Sequence, residues 1–309
     1  RLSADGILIP NLHKALVVSG NSMATSQTTN RRQKTMTLIA SFIGVDSKFP
    51  KPKLASIYII SDSRISWGDK AKFDYGRKVF GCKNSPDIFG YCGDVLFPSI
   101  VLNQIVDIAD QGLLFEPDWT CKQKFQAVVN KLIQIFNNYP KEVQSITADT
   151  LQIIHASRDE NQNFFCQKME WWKSTNKWTS GTIEFTDHSD KLFVLGSGKT
   201  EFLEKFKKYA ESENQKTSRA VFHCFTDTLA TMTDKYCGGA PQLVGLYRID
   251  NAKFFGIIHE NKRYLHGVQV DDLINFNNVE WRNELFEVCD GITMKRNKDA
   301  QRQPNPLLH

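Results

Sequence analysis

The order of elements in the chain predicts an α+β fold in which two packed antiparallel sheets are covered by helix pairs. Three observations carry that expectation. Short apolar runs with strand character come in groups; two helical stretches divide the first group from the second; and two more divide the second from the third. Strand and helix never alternate singly, as a doubly wound parallel sheet would require.

The first group opens just after Thr37. Residues 38–43 and 56–60 read as strands across a Pro/Lys-rich loop at 46–54, followed by strands at 78–81 and 88–92. Helices are expected over about 95–111 and 121–138. In the second, Phe125, Val128, Val129, Leu132, Ile135 and Phe136 recur at helical spacing and form a core-facing stripe. Strands return at 151–155, 163–171, 182–185 and 191–195. Helices over about 200–211 and 218–235 follow, and a hairpin at 242–249 and 253–259 closes the pattern. Residues 1–34 are polar and irregular, a composition that favours a flexible extension or propeptide. The main domain is placed at 35–262 and a C-terminal extension at 263–309. In that extension Trp281, Leu285 and Phe286 stand at helical spacing and are expected to dock on the body or a neighbour.

Composition narrows the function classes. At 309 residues, 41% hydrophobic and 24% charged, the chain can bury a full core. The net charge of +5 is partly held by the Met294-Lys295-Arg296-Asn297-Lys298 stretch, so the body has no need of a nucleic-acid surface. Seven scattered cysteines with no C-x-x-C pair fit a reducing compartment and offer no zinc site. No apolar run reaches the roughly 18 residues of a membrane span, and Pro10, His13 and Lys14 break up the stretch after Gly6. A soluble, cytoplasmic protein without membrane partners is expected. His155, His223, His259 and His266 have no carboxylate or cysteine at metal-ligand spacing, so neither metal nor cofactor is expected.

The residues best suited to chemistry lie at the ends of predicted strands. Asp62 lies in Ile60-Ser61-Asp62-Ser63-Arg64, which ends a strand-like run, and Lys78 follows sixteen residues later in Gly76-Arg77-Lys78-Val79-Phe80. Thr37 lies upstream, and Asp234-Lys235-Tyr236-Cys237-Gly238-Gly239 lies downstream. Taken together and in this order, the set resembles the active-site skeleton of proteasome β-type N-terminal nucleophile hydrolases, over about residues 35–260. The resemblance implies a four-layer αββα sandwich and a nucleophile that is a chain-terminal threonine. A free α-amine, of unperturbed pKa about 7.7–8.0, serves as its base. Lys78 would lower the pKa of the hydroxyl and amine, while Asp62 would orient and neutralise Lys78. Arg64, two residues on and on the same face of an extended strand, would brace either of them.

Gly93, in Tyr91-Cys92-Gly93-Asp94, matches the family's oxyanion-binding N–H. It follows Lys78 by fifteen residues, which puts a one-residue insertion in the 82–87 turn. Leu195-Gly196-Ser197-Gly198 resembles the family's G-S-G, whose serine sits beside the nucleophile. Asp234 and Cys237 keep the spacing of D-x-x-S-G-G with the serine replaced by cysteine, a weaker hydrogen-bonding group. Thr37 follows Met36 and is the preferred nucleophile. Thr35, in Thr35-Met36-Thr37-Leu38, mimics a T-T-T-L start and is the alternative, requiring cleavage after Lys34. Either one needs processing to free its amine. The resemblance further implies a peptide or protein substrate, a homo-oligomer built as a ring, and, as in bacterial relatives, an ATP-dependent unfoldase partner.

Other readings compete. A catalytically inactive structural or binding subunit would keep the fold without the chemistry, and a small-amide hydrolase would keep the nucleophile with a different substrate. Gly196-Ser197-Gly198-Lys199-Thr200 invites a P-loop, yet Phe193 stands where the loop's first glycine belongs. Phe164, Phe165, Trp171, Trp172 and Trp178, flanked by Lys168, Lys173 and Lys177, suit either a partner platform or plain hairpin packing.

Overall fold

The structure is a computed structural model and describes residues 36–47, 51–141, 148–212, 214–271 and 275–302. The predicted extension at 1–34 and Thr35 lie outside the described residues. From Leu38 the chain is a mixed α+β fold with two main antiparallel sheets. The first group of strands is β1 (Leu38–Asp46), β2 (Lys53–Ser61), a β3–β4 hairpin (Ile65–Trp67, Ala71–Phe73), β5 (Val79–Gly81) and β6 (Asp87–Gly93). Helices α1 (Leu96–Asp110) and α2 (Cys121–Asn137) precede β7 (Thr150–Arg158), β8 (Phe164–Trp172), β9 (Lys177–Ile183) and β10 (Lys191–Gly196). Helices α3 (Lys199–Ala210) and α4 (Ser218–Ala230) lead to β11 (Gln242–Tyr247), β12 (Lys253–His259), β13 (Lys262–Leu265), β14 (Val268–Gln269), β15 (Glu280–Arg282) and β16 (Val288–Cys289).

Nine strands form one sheet in the order β10-β1-β2-β11-β12-β13-β14, with β15 alongside β12 and β16 on β15; β5 to β9 form the second in sequence order. Side-chain alternation along each strand sorts most of the apolar residues into three large cores, with a smaller fourth around Trp281, Ile258 and Phe276. Leu38, Ala40 and Phe42 of β1 meet Phe202 of α3 and Phe222 and Phe225 of α4. On the opposite face, Ile39 and Ile43 pack with Ile57 and Ile59 of β2 against Val79, Ile88 and Ile154 of the five-stranded sheet. Phe89, Tyr91, Leu151 and Ile153 then turn their other face to Phe97 of α1 and Val128, Leu132 and Phe136 of α2. Strands buried on both faces explain why 38–43 and 56–60 read as nearly continuous apolar runs rather than alternating ones.

Several boundaries differ from expectation, each for a local reason. The helix expected over 218–235 stops at Ala230, and the following turn gives the Thr233 and Asp234 amides to the Glu201 carboxylate at 3.1 and 3.2 Å. The helical spacing of Trp281, Leu285 and Phe286 corresponds to no helix. Trp281 lies on β15, which pairs parallel with β12, and Asn283 Oδ1 accepts the Leu285 and Glu287 amides in a side-chain-closed turn. That segment does dock on the body: Phe286 enters the core against Phe42, Tyr58 and Phe222. The β3–β4 hairpin was not expected, and it holds Trp67, Phe73 and Tyr75 exposed. Within the aromatic insert, Trp171 and Trp178 pack on Phe136, at ring-centroid distances of 5.0 and 5.2 Å, while Phe165 and Trp172 are half-buried.

Candidate functional site

The sheet register brings the site together. β1 and β2 run antiparallel, so the first residues of one meet the last of the other, with Ile39 opposite Ser61. Asp62 lies one residue past β2; its N–H donates to Leu38 O at 3.0 Å, and its Oδ1 accepts the Leu38 N–H at 3.1 Å. Its Oδ2 accepts from Gly238 N at 3.0 Å and Arg64 N at 3.3 Å. Lys78 immediately precedes β5 in the other sheet. Its ammonium reaches across to Asp62 Oδ1 at 2.7 Å and Thr37 Oγ1 at 2.9 Å.

Lys78 and Asp62 are both fully buried. Burial pushes the Asp62 carboxyl above the ordinary carboxylate range, while Lys78 and the Gly238 and Leu38 amides pull it back. A buried ion pair is tolerated only when further hydrogen bonds serve the charges, as these amides do here. Its consequence for Thr37 is a cation held against its hydroxyl in a dry setting, which favours the alkoxide.

Thr37 is 1% exposed and has a φ of 105°. A β-branched residue in that region is strained, at a cost of about 1–3 kcal/mol. The strand end opposite accommodates it: Gly196 has a φ of +92°, and a Cβ there would lie 1.9 Å from Thr37 O. Gly198 N donates to the same carbonyl at 3.4 Å, so the glycine turn that suggested a P-loop is engaged with the candidate nucleophile. On the other side of Thr37, Met36 O accepts from Cys92 Sγ at 3.5 Å. Burial pushes the Cys92 thiol up to about 12, which keeps it a neutral donor.

The remaining predicted residues fall nearby, and Arg64 has partners other than those expected. Ser197 Oγ is 3.5 Å from Cys237 Sγ, and the Cys237 thiol donates to Asp234 Oδ2 at 3.6 Å. Burial holds that thiol far above its usual pKa. Gly93 ends β6 with a φ of +94°, and a Cβ there would lie 2.1 Å from Thr150 O. The neighbouring strand therefore demands the glycine already, whatever else its N–H does.

Arg64 does not brace Asp62 or Lys78 with its side chain. β2 ends at Ser61, so the alternation that placed Asp62 and Arg64 on one strand face no longer applies. The guanidinium instead forks onto Asp74 at 2.7 and 2.8 Å and donates to Cys237 O at 2.9 Å. It thereby ties the base of the hairpin to the Asp234–Cys237 turn. Its hydrogen bond holds the Asp74 carboxyl below the usual range. Neither Asp74 nor Gln242, whose amide reaches both the Asp62 and Lys78 backbones, was singled out from sequence.

A polar cavity of about 580 Å³ opens beside this cluster, bordered by Arg64, Asp74, Asp234, Cys237 and Gly238. Among the described residues no three metal-ligating side chains converge, and no helix is long and apolar enough to cross a membrane. The histidines have other partners: His155 meets Asp87 at 2.7 Å, His259 meets Glu284 at 3.1 Å, and His223 and His266 pack on Tyr209 and Phe254.

No family model and no curated protein matches the chain. Among solved structures, the chain is similar to eukaryotic HslV from Trypanosoma brucei, with 11% identity and a TM-score of 0.41, covering 67% of this chain and 99% of that one. It is also similar to Anbu, an ancestral beta-subunit from Yersinia bercovieri, with 7% identity and a TM-score of 0.45, covering 68% and 81%. Likenesses at this level leave the chemistry to rest on the residues themselves.

Proposed function

We propose that this protein is a proteasome-like threonine hydrolase of peptide amides, with Thr37 as its nucleophile once processing frees the Thr37 amine. The observation that carries the reading is the Lys78 ammonium, 2.9 Å from Thr37 Oγ1 and 2.7 Å from Asp62 Oδ1, with both charged groups fully buried. A hydroxyl held by a dry, neutralised cation is what a weak oxygen nucleophile requires. Thr37 Oγ attacks the amide carbonyl, its proton passes through the freed α-amine to the leaving amine, and the C–N bond breaks to leave an ester. Water then hydrolyses the ester and regenerates the hydroxyl. Lys78 and Asp62 tune the nucleophile, and the Gly93 N–H holds the oxyanion. Ser197, Cys237 and Asp234 support the amine, and Arg64 fixes the turn that carries two of them.

The three large cores support reading the fold as the αββα sandwich of N-terminal nucleophile hydrolases, with a domain at 35–262 and 263–309 as an addition to its sheet. The same reading makes the protein a cytoplasmic homo-oligomer, in a ring served by an ATP-dependent unfoldase, that acts without a metal or organic cofactor.

A second reading, an inactive structural or binding subunit, is favoured by the 1% exposure of Thr37, its peptide bond to Met36, and the thiol at Cys237. Labelling with a threonine-directed electrophile, mapped by peptide mass spectrometry in wild type and Thr37→Ala, decides between them. A wild-type adduct on residue 37 that the variant loses supports the hydrolase. An adduct on residue 35 moves the nucleophile, and none at all favours the inactive subunit. Turnover of short acyl amides but not peptides would select the small-amide hydrolase.

A further inference from the structure

We propose that Gln242 is the positioning residue that sets Lys78 against Thr37, an inference that rests on the hydrolase reading and extends it to a residue outside the predicted set. Gln242 opens β11, pairs with Ser61 at the end of β2, and is fully buried. Its Oε1 accepts the Lys78 N–H at 2.9 Å and the Val79 N–H at 3.4 Å. Its Nε2 donates to Gly76 O at 2.8 Å, Asp62 O at 3.1 Å and Ser63 Oγ at 3.3 Å.

One neutral amide therefore holds the backbone of the two residues whose side chains form the ion pair. Those residues belong to different sheets. Asp62 trails β2 of the nine-stranded sheet, and Lys78 leads into β5 of the five-stranded sheet. Together with the Gly76 N–H donated to Ser63 O at 2.9 Å, Gln242 fixes how far apart the two segments sit. The Lys78 ammonium must be within hydrogen-bond reach of Asp62 and Thr37 at once, and a displacement of about 1 Å at such a group is enough to cost on the order of 100-fold in rate.

The position requires a group that donates and accepts together. Glutamate would keep the acceptor for Lys78 N and Val79 N but would turn an oxygen toward the Asp62 and Gly76 carbonyls. It would also bring a carboxylate near the ion pair. Methionine fills the volume and offers neither function.

The test compares the rate of electrophile labelling at Thr37, as a function of pH, in processed wild type, Gln242→Met, Gln242→Glu and Leu132→Ala. The last removes a buried side chain from the α1–α2 core and controls for lost stability. Crystal structures of the same proteins give the Lys78 Nζ to Thr37 Oγ1 distance. Gln242→Met is expected to label about 100-fold more slowly. In Gln242→Glu the rising limb of the profile is expected to move to higher pH, because an added negative charge favours the protonated forms at Thr37. Leu132→Ala should melt lower with rate and profile unchanged.

Wild-type rate and profile in Gln242→Met would overturn the proposal, as would a similar slowing in Leu132→Ala. Should Gln242→Met fail to fold, the Lys78 Nζ to Thr37 Oγ1 distance in the Gln242→Glu crystal structure carries the test, since the pH shift there follows from charge alone. If wild type does not label, the hydrolase reading fails by itself. The crystal structures then still decide the placement of Lys78: separation from Thr37 Oγ1 in the Gln242 variants supports it, and an unchanged 2.9 Å contact overturns it.

Discussion

At the scale of single residues, the buried Lys78–Asp62 pair is where stability and chemistry are most tightly joined. Lys78→Met leaves the Asp62 carboxylate without its cation, so chemical denaturation should show a loss of about 3–5 kcal/mol together with loss of Thr37 labelling. Adding Asp62→Asn should restore much of that stability without restoring labelling, because the unpaired buried charge disappears while a side-chain oxygen remains to accept the Leu38 or Gly238 N–H. A double variant no more stable than the single one would contradict this account of the pair. Cys237→Ser is the complementary experiment. A hydroxyl makes stronger hydrogen bonds than a thiol to Ser197 and Asp234, so labelling should be at least as fast, and a loss would mean that sulfur itself is required. Thr37, Asp62 and Lys78 could be read from the chain because their order and spacing form a pattern. Gln242 could not, since a lone glutamine between Pro241 and Leu243 carries no signal until the fold brings the second sheet against the start of β11. Arg64 was misjudged because alternation holds only while a strand continues, and this one ends at Ser61.

At the scale of elements, the C-terminal segment belongs to the core of the protein. Phe286 lies in the layer between the nine-stranded sheet and α4, with ring centroids 6.4, 5.7 and 4.6 Å from those of Phe42, Tyr58 and Phe222. Phe286→Ala should therefore cost about 3–5 kcal/mol, read from denaturant midpoints, as expected for emptying an aromatic site in a packed core. A change below about 0.5 kcal/mol, the size of an ordinary surface substitution, would show that the segment is only draped over the body. Sequence periodicity gave the docking of this segment and missed its form. Trp281 and Phe286 are buried from a strand held between β12 and β16 and from an Asn283-closed turn, which share by chance the spacing of a helix face. Helix α2 was more legible because its apolar stripe runs through one uninterrupted helix, which the structure opens with a reciprocal Thr120–Gln123 capping box.

At the scale of the whole molecule, the buried and half-buried carboxylates around the cores should set the response to acid. Burial opposes ionisation of Asp87, but His155, Lys124 and Ser85 together hold its carboxyl below the ordinary range. A depressed carboxylate contributes stability that is complete above its unfolded pKa of about 3.9 and is lost as pH falls through its lower folded value. Asp74, depressed by Arg64, has the same sign; Asp62, raised by burial, has the opposite one. The melting temperature should therefore fall as pH drops below about 4, and Asp87→Asn should flatten that limb. An unchanged acid limb in Asp87→Asn would remove Asp87 from the account.

The central claim, that the buried Lys78 serves a threonine destined to begin the chain, is tested most directly by intact mass and N-terminal sequencing of protein expressed from its native gene. A mature chain beginning at Thr37 is the predicted result. A chain that keeps Met36 and the residues before it would leave the Thr37 amine locked in a peptide bond and would contradict the claim.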